Sequence, residues 1–139
     1  MNRTTAQKAC IVDDDRLYVS LIRMLIYKHK LAEELIIFDN GQKAADFFLQ
    51  ELKKPKPDLP EVVLLDLNMP VMDGWEFLDA LEPYANKLAA SSIKINVVSS
   101  TINPAEIKRA SEHAIVNNFM TKPIKKNSMI QAFIKKVPA

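Results

Sequence analysis

The chain is poor in the residues that mark the commonest specialised chemistries. Its 139 residues include one cysteine, Cys10, two glycines, Gly41 and Gly74, and two histidines, His29 and His113. A lone thiol excludes an internal disulfide framework, and one cysteine with two histidines argues against a Cys/His zinc cluster. No apolar run approaches the roughly 20 residues that span a bilayer, and the first ten residues lack the apolar core of a signal peptide. No membrane partner is expected, and a cytoplasmic location is. Charge of one sign is also missing: 19 Lys plus Arg face 17 Asp plus Glu, a formal net charge of +2. Without a concentrated basic stripe, no nucleic-acid partner is expected. What is present is ordinary for a folded protein. Hydrophobic residues make up 48% and charged residues 26%, so a core can be buried, and the length fits one domain over residues 1–139.

Five short apolar runs recur: Ala9 to Val12, Leu35 to Phe38, Val62 to Leu65, Ile95 to Val98, and Val116 to Met120. They are too short for helices and rich in β-branched residues, and most are continuously apolar, as parallel strands covered on both faces are. Between them lie helical periodicities. Leu17, Leu21 and Leu25 share one stripe, as do Ala44, Phe48 and Leu52, then Leu78, Leu81, Ala85 and Leu88, and finally Ile130, Phe133, Ile134 and Val137. A shorter fourth helix has Ile107 and Ala110 inside, with Asn103 as its cap and Pro104 in its first position. The stretch Lys53 to Glu61, although it holds three prolines, is expected to be a loop before the third strand. Five βα units in succession argue for a parallel sheet with helices on both faces.

In such a sheet ligands bind beyond the carboxyl ends of the strands. The first strand ends in Asp13, Asp14 and Asp15, the third in Asp66, the fourth in Ser99, Ser100 and Thr101, and the fifth leads into Thr121, Lys122 and Pro123. If the first and third strands are neighbours, the carboxylates converge. Crowded like charges cost stability unless a cation neutralises them, and Mg²⁺, a hard ion with oxygen ligands, suits them. A site with Mg²⁺, a lysine, a hydroxyl and a spare carboxylate can hold a phosphoryl group. Taken singly, each residue has a plainer role, such as Asp15 capping the first helix. The coincidence of four strand ends carries the reading.

These residues resemble the receiver domain of two-component response regulators over almost the whole chain. IVDDD at Ile11 to Asp15 is similar to the family's acidic pair, LLDLNMPVMDG at Leu64 to Gly74 to its phosphoacceptor loop, and VVSS at Val97 to Ser100 and TKP at Thr121 to Pro123 to its remaining elements. The resemblance implies a flavodoxin-like (βα)5 three-layer α/β sandwich with a parallel five-stranded sheet of order 2-1-3-4-5. It implies that Asp66 accepts a phosphoryl group and that Asp13 and Asp14 hold Mg²⁺ with Asp66 and the backbone carbonyl of Asn68. Ser99 and Lys122 would contact the phosphoryl group, and the Lys122–Pro123 bond would be cis. The donor would be a histidine kinase or a histidine phosphotransfer protein. The chain would be a stoichiometric phosphoacceptor with slow self-dephosphorylation, not an enzyme.

The resemblance also implies a switch in which Ser99 turns toward the phosphoryl group and Phe119 rotates inward, changing the surface of the fourth helix, fifth strand and fifth helix. Lys108, Arg109, Lys125, Lys126, Lys135 and Lys136 fall on that face, whose downstream protein target the sequence does not name. Three departures stand out. Ser99 replaces the usual Thr, Phe119 lacks a hydroxyl, and Asn117 and Asn118 replace a glycine turn, where Asn tolerates the left-handed conformation. His29 and His113 are expected at helix ends or on the surface. Trp75 is expected within reach of the site. An aspartate-nucleophile phosphohydrolase is disfavoured because Asn68 stands where its general acid would be. A docking-only module is disfavoured by the intact acidic set. With the last helix ending near Val137, no output domain is expected.

Overall fold

The computed structural model describes residues 3–4, 6–133 and 135–136, with side chains from 6 to 133. Five parallel strands form the sheet: β1 (Ala6–Val12), β2 (Ala32–Phe38), β3 (Val62–Leu65), β4 (Lys94–Ser99) and β5 (Asn118–Thr121). Their order is 2-1-3-4-5. The helices are α1 (Arg16–Lys28), α2 (Gly41–Leu52), α3 (Gly74–Leu81), α4 (Ala85–Ala90), α5 (Pro104–Glu112) and α6 (Lys126–Phe133). The central strands are buried on both faces, which explains their unbroken apolar runs, while the edge strands β2 and β5 contain only half-buried and exposed residues. Val116 lies outside β5, and Thr121 is added to it.

Two apolar layers sandwich the sheet. On one side Ala44, Phe48 and Leu52 of α2 and Phe77, Leu78 and Leu81 of α3 pack on Cys10, Val12, Val63, Leu65 and Val97. On the other, α1 and α6 cover Ala9, Ile11, Leu64 and Val98. Burial holds the Cys10 thiol well above its usual range, so it acts as a core residue. Phe48 and Phe77 meet edge to face at 5.6 Å, a favourable quadrupole arrangement.

The inner face of α1 differs from the expected stripe. Val19, Ile22 and Ile26 point inward, whereas Leu17 is 83% and Leu21 48% exposed and Leu25 is only half-buried. The helix carries two apolar stripes, and the phase is set by Asp15, which caps α1 by accepting the Tyr18 N–H at 3.1 Å. The expected third helix is split by a 3₁₀ turn at Glu82–Tyr84, with Pro83 inside it, so the expected fourth and fifth helices are α5 and α6. Asn103 caps α5 by accepting the Ala105 N–H. In α6, Met129 and Phe133 are buried and Ile130 is half-buried, while Ile134 and Val137 lie outside the described residues. Lys135 and Lys136 do not continue the helix; their backbone pairs antiparallel with Arg3–Thr4.

The turn into β5 also departs from expectation. Among the described residues, positive φ occurs only at Lys30, Val71 and Ser92, so neither Asn117 nor Asn118 is left-handed. Their side chains act instead. Asn117 Oδ1 accepts the Ile95 N–H at 2.7 Å, and Asn118 Nδ2 donates to Oδ1 of the buried Asn96 at 2.9 Å. Asn96 in turn donates to the Val63 carbonyl at 3.2 Å. The three amides stitch β3, β4 and β5 together at one end of the sheet.

Candidate functional site

The sheet register places the acidic residues together. Val12 pairs with Leu65, and the Asp66 N–H donates to the Val12 carbonyl at 2.9 Å, so Asp13 and Asp66 emerge side by side. Both are buried, and Asp14 is exposed at the rim. Carboxylate oxygens of Asp13, Asp14 and Asp66 lie within 4.8 Å of one another. Lys122, carried in by β5 and followed by a cis peptide bond to Pro123, reaches across the sheet. Its Nζ donates to Asp13 Oδ2 at 2.8 Å and stands 3.7 Å from Asp66 Oδ1. Asp13 Oδ1 also accepts the Asp15 N–H at 2.9 Å.

Asp66 is the electrostatically exceptional member. Burial, then the negative charge of Asp13 and, more weakly, that of Asp14, pushes its carboxyl up to about 6, while Lys122 and the backbone N–H of Asn68 pull only partly the other way. Its ionisation is therefore displaced toward neutrality, and its charge sits in a largely buried position. The loop beyond it is folded tightly. The Met72 N–H donates to the Pro70 carbonyl at 2.8 Å around Val71, whose φ is 69°, forming a three-residue γ-turn. Gly74 donates its N–H to the Leu67 carbonyl at 2.9 Å. A Cβ at Gly74 would collide with the Asp66 carbonyl and Leu67 Cα, which accounts for glycine here. Asp73 and Glu76 close a capping box that starts α3.

Ser99 is buried at the end of β4, and its Oγ accepts the Thr101 N–H at 3.1 Å. Thr101 Oγ1 donates to Glu106 in the first turn of α5 at 2.7 Å, a link from Ser99 to that helix which sequence reasoning missed. Phe119 is half-buried on β5, opposite Val97, with Ser99 opposite Thr121. Ser99 and Phe119 thus sit on the same face of adjacent strands. Trp75 packs at the start of α3 beneath Arg109, whose guanidinium is 3.9 Å from its ring. Lys108, Lys125 and Lys126 are exposed. His29 ends α1 and His113 ends α5, as expected of helix-end residues. His113 is nevertheless largely buried, with Nε2 at 3.3 Å from both Asp79 and Glu82.

Tyr18 is a further site residue that sequence reasoning missed. Lys122 Nζ stands 4.3 Å from its ring centroid. Burial first, then the charges of Asp13, Asp66 and Asp15, holds its phenol above the ordinary range. The available signal was its place in the first turn of the helix that follows the acidic run.

A model of the response regulator receiver domain matches residues 9–134. The chain belongs to this family. Over 122 residues it is 31% identical to the protein-glutamate methylesterase/protein-glutamine glutaminase of Halalkalibacterium halodurans, covering 84% of this chain and 30% of that protein. With response regulator Rcp1 of Synechocystis it shares 28% identity, over 81% of this chain and 74% of the relative. The chain thus spans less than a third of the first of these relatives. A two-component response regulator structure from Cytophaga hutchinsonii superposes with a TM-score of 0.77 at 22% identity, covering 93% of this chain and 95% of the other, which shows the shared flavodoxin-like fold. The matched range includes the strand ends that form the acidic crevice. Among the described residues, no helix is long and apolar enough to cross a membrane.

Proposed function

We propose that this receiver is a cytoplasmic phosphoacceptor switch in a two-component phosphorelay, taking a phosphoryl group on Asp66 from the phosphohistidine of a histidine kinase or a histidine phosphotransfer protein. The observation that carries this reading is Asp66 itself: a buried carboxylate, pushed up to about 6, beside a second buried carboxylate and a lysine ammonium. A carboxylate so placed is poorly compensated as an anion and gains by transferring charge to an incoming electrophile.

In the reaction, an Asp66 carboxylate oxygen attacks phosphorus in line with the P–N bond. That bond breaks, the imidazole of the partner leaves with its electron pair and takes up a proton, and an acyl phosphate remains on Asp66. Lys122 shifts toward Asp66 to meet the transferred oxygens, and Ser99 donates its hydroxyl hydrogen to one of them. The all-oxygen set of Asp13, Asp14 and Asp66 fits a hard divalent ion. These residues, with the Asn68 carbonyl, would hold Mg²⁺, which supplies charge neutralisation for the transferring oxygens. Movement of Ser99 releases the Thr101 amide and, through Thr101 and Glu106, shifts α5; Phe119 turns inward, and the α5–β5–α6 surface changes for a downstream protein target. Each protein takes up one phosphoryl group and loses it slowly by hydrolysis, so it is a stoichiometric acceptor and not a turnover enzyme.

The test is incubation with acetyl phosphate and Mg²⁺, followed by intact mass and peptide mapping. One phosphoryl group on Asp66, absent from Asp66→Asn, is the expected result. Equal labelling of the variant, or phosphate release far beyond one equivalent, contradicts the reading.

A further inference from the structure

Lys122 hangs on a flexible four-carbon stem, and its ammonium is a compact charge that solvent strongly attracts. Three neighbours restrain it: Asp13 at 2.8 Å, Asp66 at 3.7 Å and the Tyr18 ring centroid at 4.3 Å. The carboxylates both lie at strand ends, whereas the ring belongs to α1. Tyr18 is fixed there by Asp15, which accepts its backbone N–H. Its hydroxyl is buried and has no hydrogen-bond partner among the described residues, so the contact it makes with Lys122 is through the face of the ring. That face attracts a cation through its quadrupole, and more strongly where water is excluded. It differs from a hydrogen bond in having no fixed donor–acceptor line. An ammonium can exchange its hydrogen bond to Asp13 for one to Asp66 while keeping its contact with the ring.

We propose that Tyr18 is a positioning residue for Lys122, its ring face holding the ammonium between Asp13 and Asp66 and letting it pass from one to the other. The role rests on the phosphoacceptor reading for its purpose, but the contact itself does not depend on that reading. It predicts that the aromatic face is required and the hydroxyl is not.

The test uses the full chain labelled with ¹³C at the lysine ε-carbons. In metal-free protein the Lys122 ε-methylene protons, assigned by their loss in Lys122→Met, are expected upfield of the other lysines because of the ring current. The shift persists in Tyr18→Phe and disappears in Tyr18→Leu. With acetyl phosphate and Mg²⁺, phosphorylation of Tyr18→Leu slows about tenfold, while Tyr18→Phe stays within about twofold of the parent. Thermal unfolding monitors the fold, and Tyr18→Met replaces the leucine variant if that one does not fold. An unshifted Lys122 in the parent, or equal slowing in the phenylalanine and leucine variants, overturns the proposal. If the ring-current shift is present but the parent takes no phosphoryl group, the phosphoacceptor reading fails while the contact stands.

Discussion

Lys122 is hydrogen-bonded to Asp13, 109 residues away in sequence, and stands off Asp66 by a further 0.9 Å, the difference between 2.8 and 3.7 Å. The resting receiver therefore spends its lysine on an acid other than the one it is proposed to serve. On the proposed phosphoacceptor reading, Asp13 is held by a partner that would have to be shared once Asp66 carried a phosphoryl group.

Removing that lysine leaves two buried carboxylates facing each other. Lys122→Met is expected to destabilise the metal-free protein by about 2–4 kcal/mol, because a buried charge loses its partner. Added Mg²⁺ should recover more stability in the variant than in the parent. Urea unfolding with and without chelator measures both; a variant as stable as the parent in chelator would show that Lys122 is not the neutralising group.

The raised carboxyl of Asp66 gives a pH dependence of definite sign. The folded carboxyl sits at about 6 against 3.8 for the ordinary group, so between those values the folded protein holds a proton that the unfolded chain has lost. Metal-free stability should therefore rise as the pH falls from 7 toward 4, by an amount on the order of 2 kcal/mol. This gain is fully present below the unfolded value and lost as the pH climbs through 6. Asp66→Asn should remove this component from the pH profile of unfolding, and a variant with the parent's profile would assign the dependence elsewhere.

Val71 is a β-branched residue at φ 69° and is 80% exposed, so it bears the strain of the γ-turn with little packing in return. Val71→Gly should raise stability by about 0.5–1 kcal/mol, the left-handed penalty less the backbone entropy that glycine loses. The midpoint of urea unfolding checks it. A loss of stability would mean that the valine side chain makes contacts worth more than the strain.

Arg109 and His113, one turn apart on α5, both reach across to α3 and the turn after it, one over Trp75 and the other between Asp79 and Glu82. Arg109→Ala should alter Trp75 emission while costing less than about 1 kcal/mol. Combined with His113→Ala, it should speed amide exchange in Pro104–Glu112. Unchanged exchange in the double variant would show that other contacts hold the helix.

The strands were legible because the middle of the sheet is buried on both faces, so Val62 to Leu65 and Ile95 to Val98 read as unbroken apolar runs, and the residues after them stood out as polar. The same reasoning brought Asp13, Asp14, Asp66 and Lys122 to one crevice, where the structure places them. Periodicity could not choose the inner face of α1, since Leu17–Leu21 and Val19–Ile22–Ile26 are both apolar stripes and only the cap at Asp15 sets the phase. Nor could it foresee the break at Pro83, because Leu81 and Leu88 are buried on either side of it. Tyr18 was hidden for another reason: a ring face over an ammonium leaves no spacing in the sequence when the two residues come from opposite ends of the chain. The glycine replacements at Asn117 and Asn118 were visible, but their purpose lies in side-chain amides bonded to neighbouring strands, not in backbone freedom.

That amide stitching has a mechanical consequence. Asn96, Asn117 and Asn118 anchor the beginning of β5 to the interior of the sheet, whereas Lys122 and Pro123 lie at its other end, beside the acidic crevice. Backbone pairing ties the rest of the strand to β4 as far as the Lys122 N–H, which donates to the Ser99 carbonyl at 2.9 Å. Lys122 therefore enters the crevice from a strand fixed at both ends, and any change of partner there falls to its side chain.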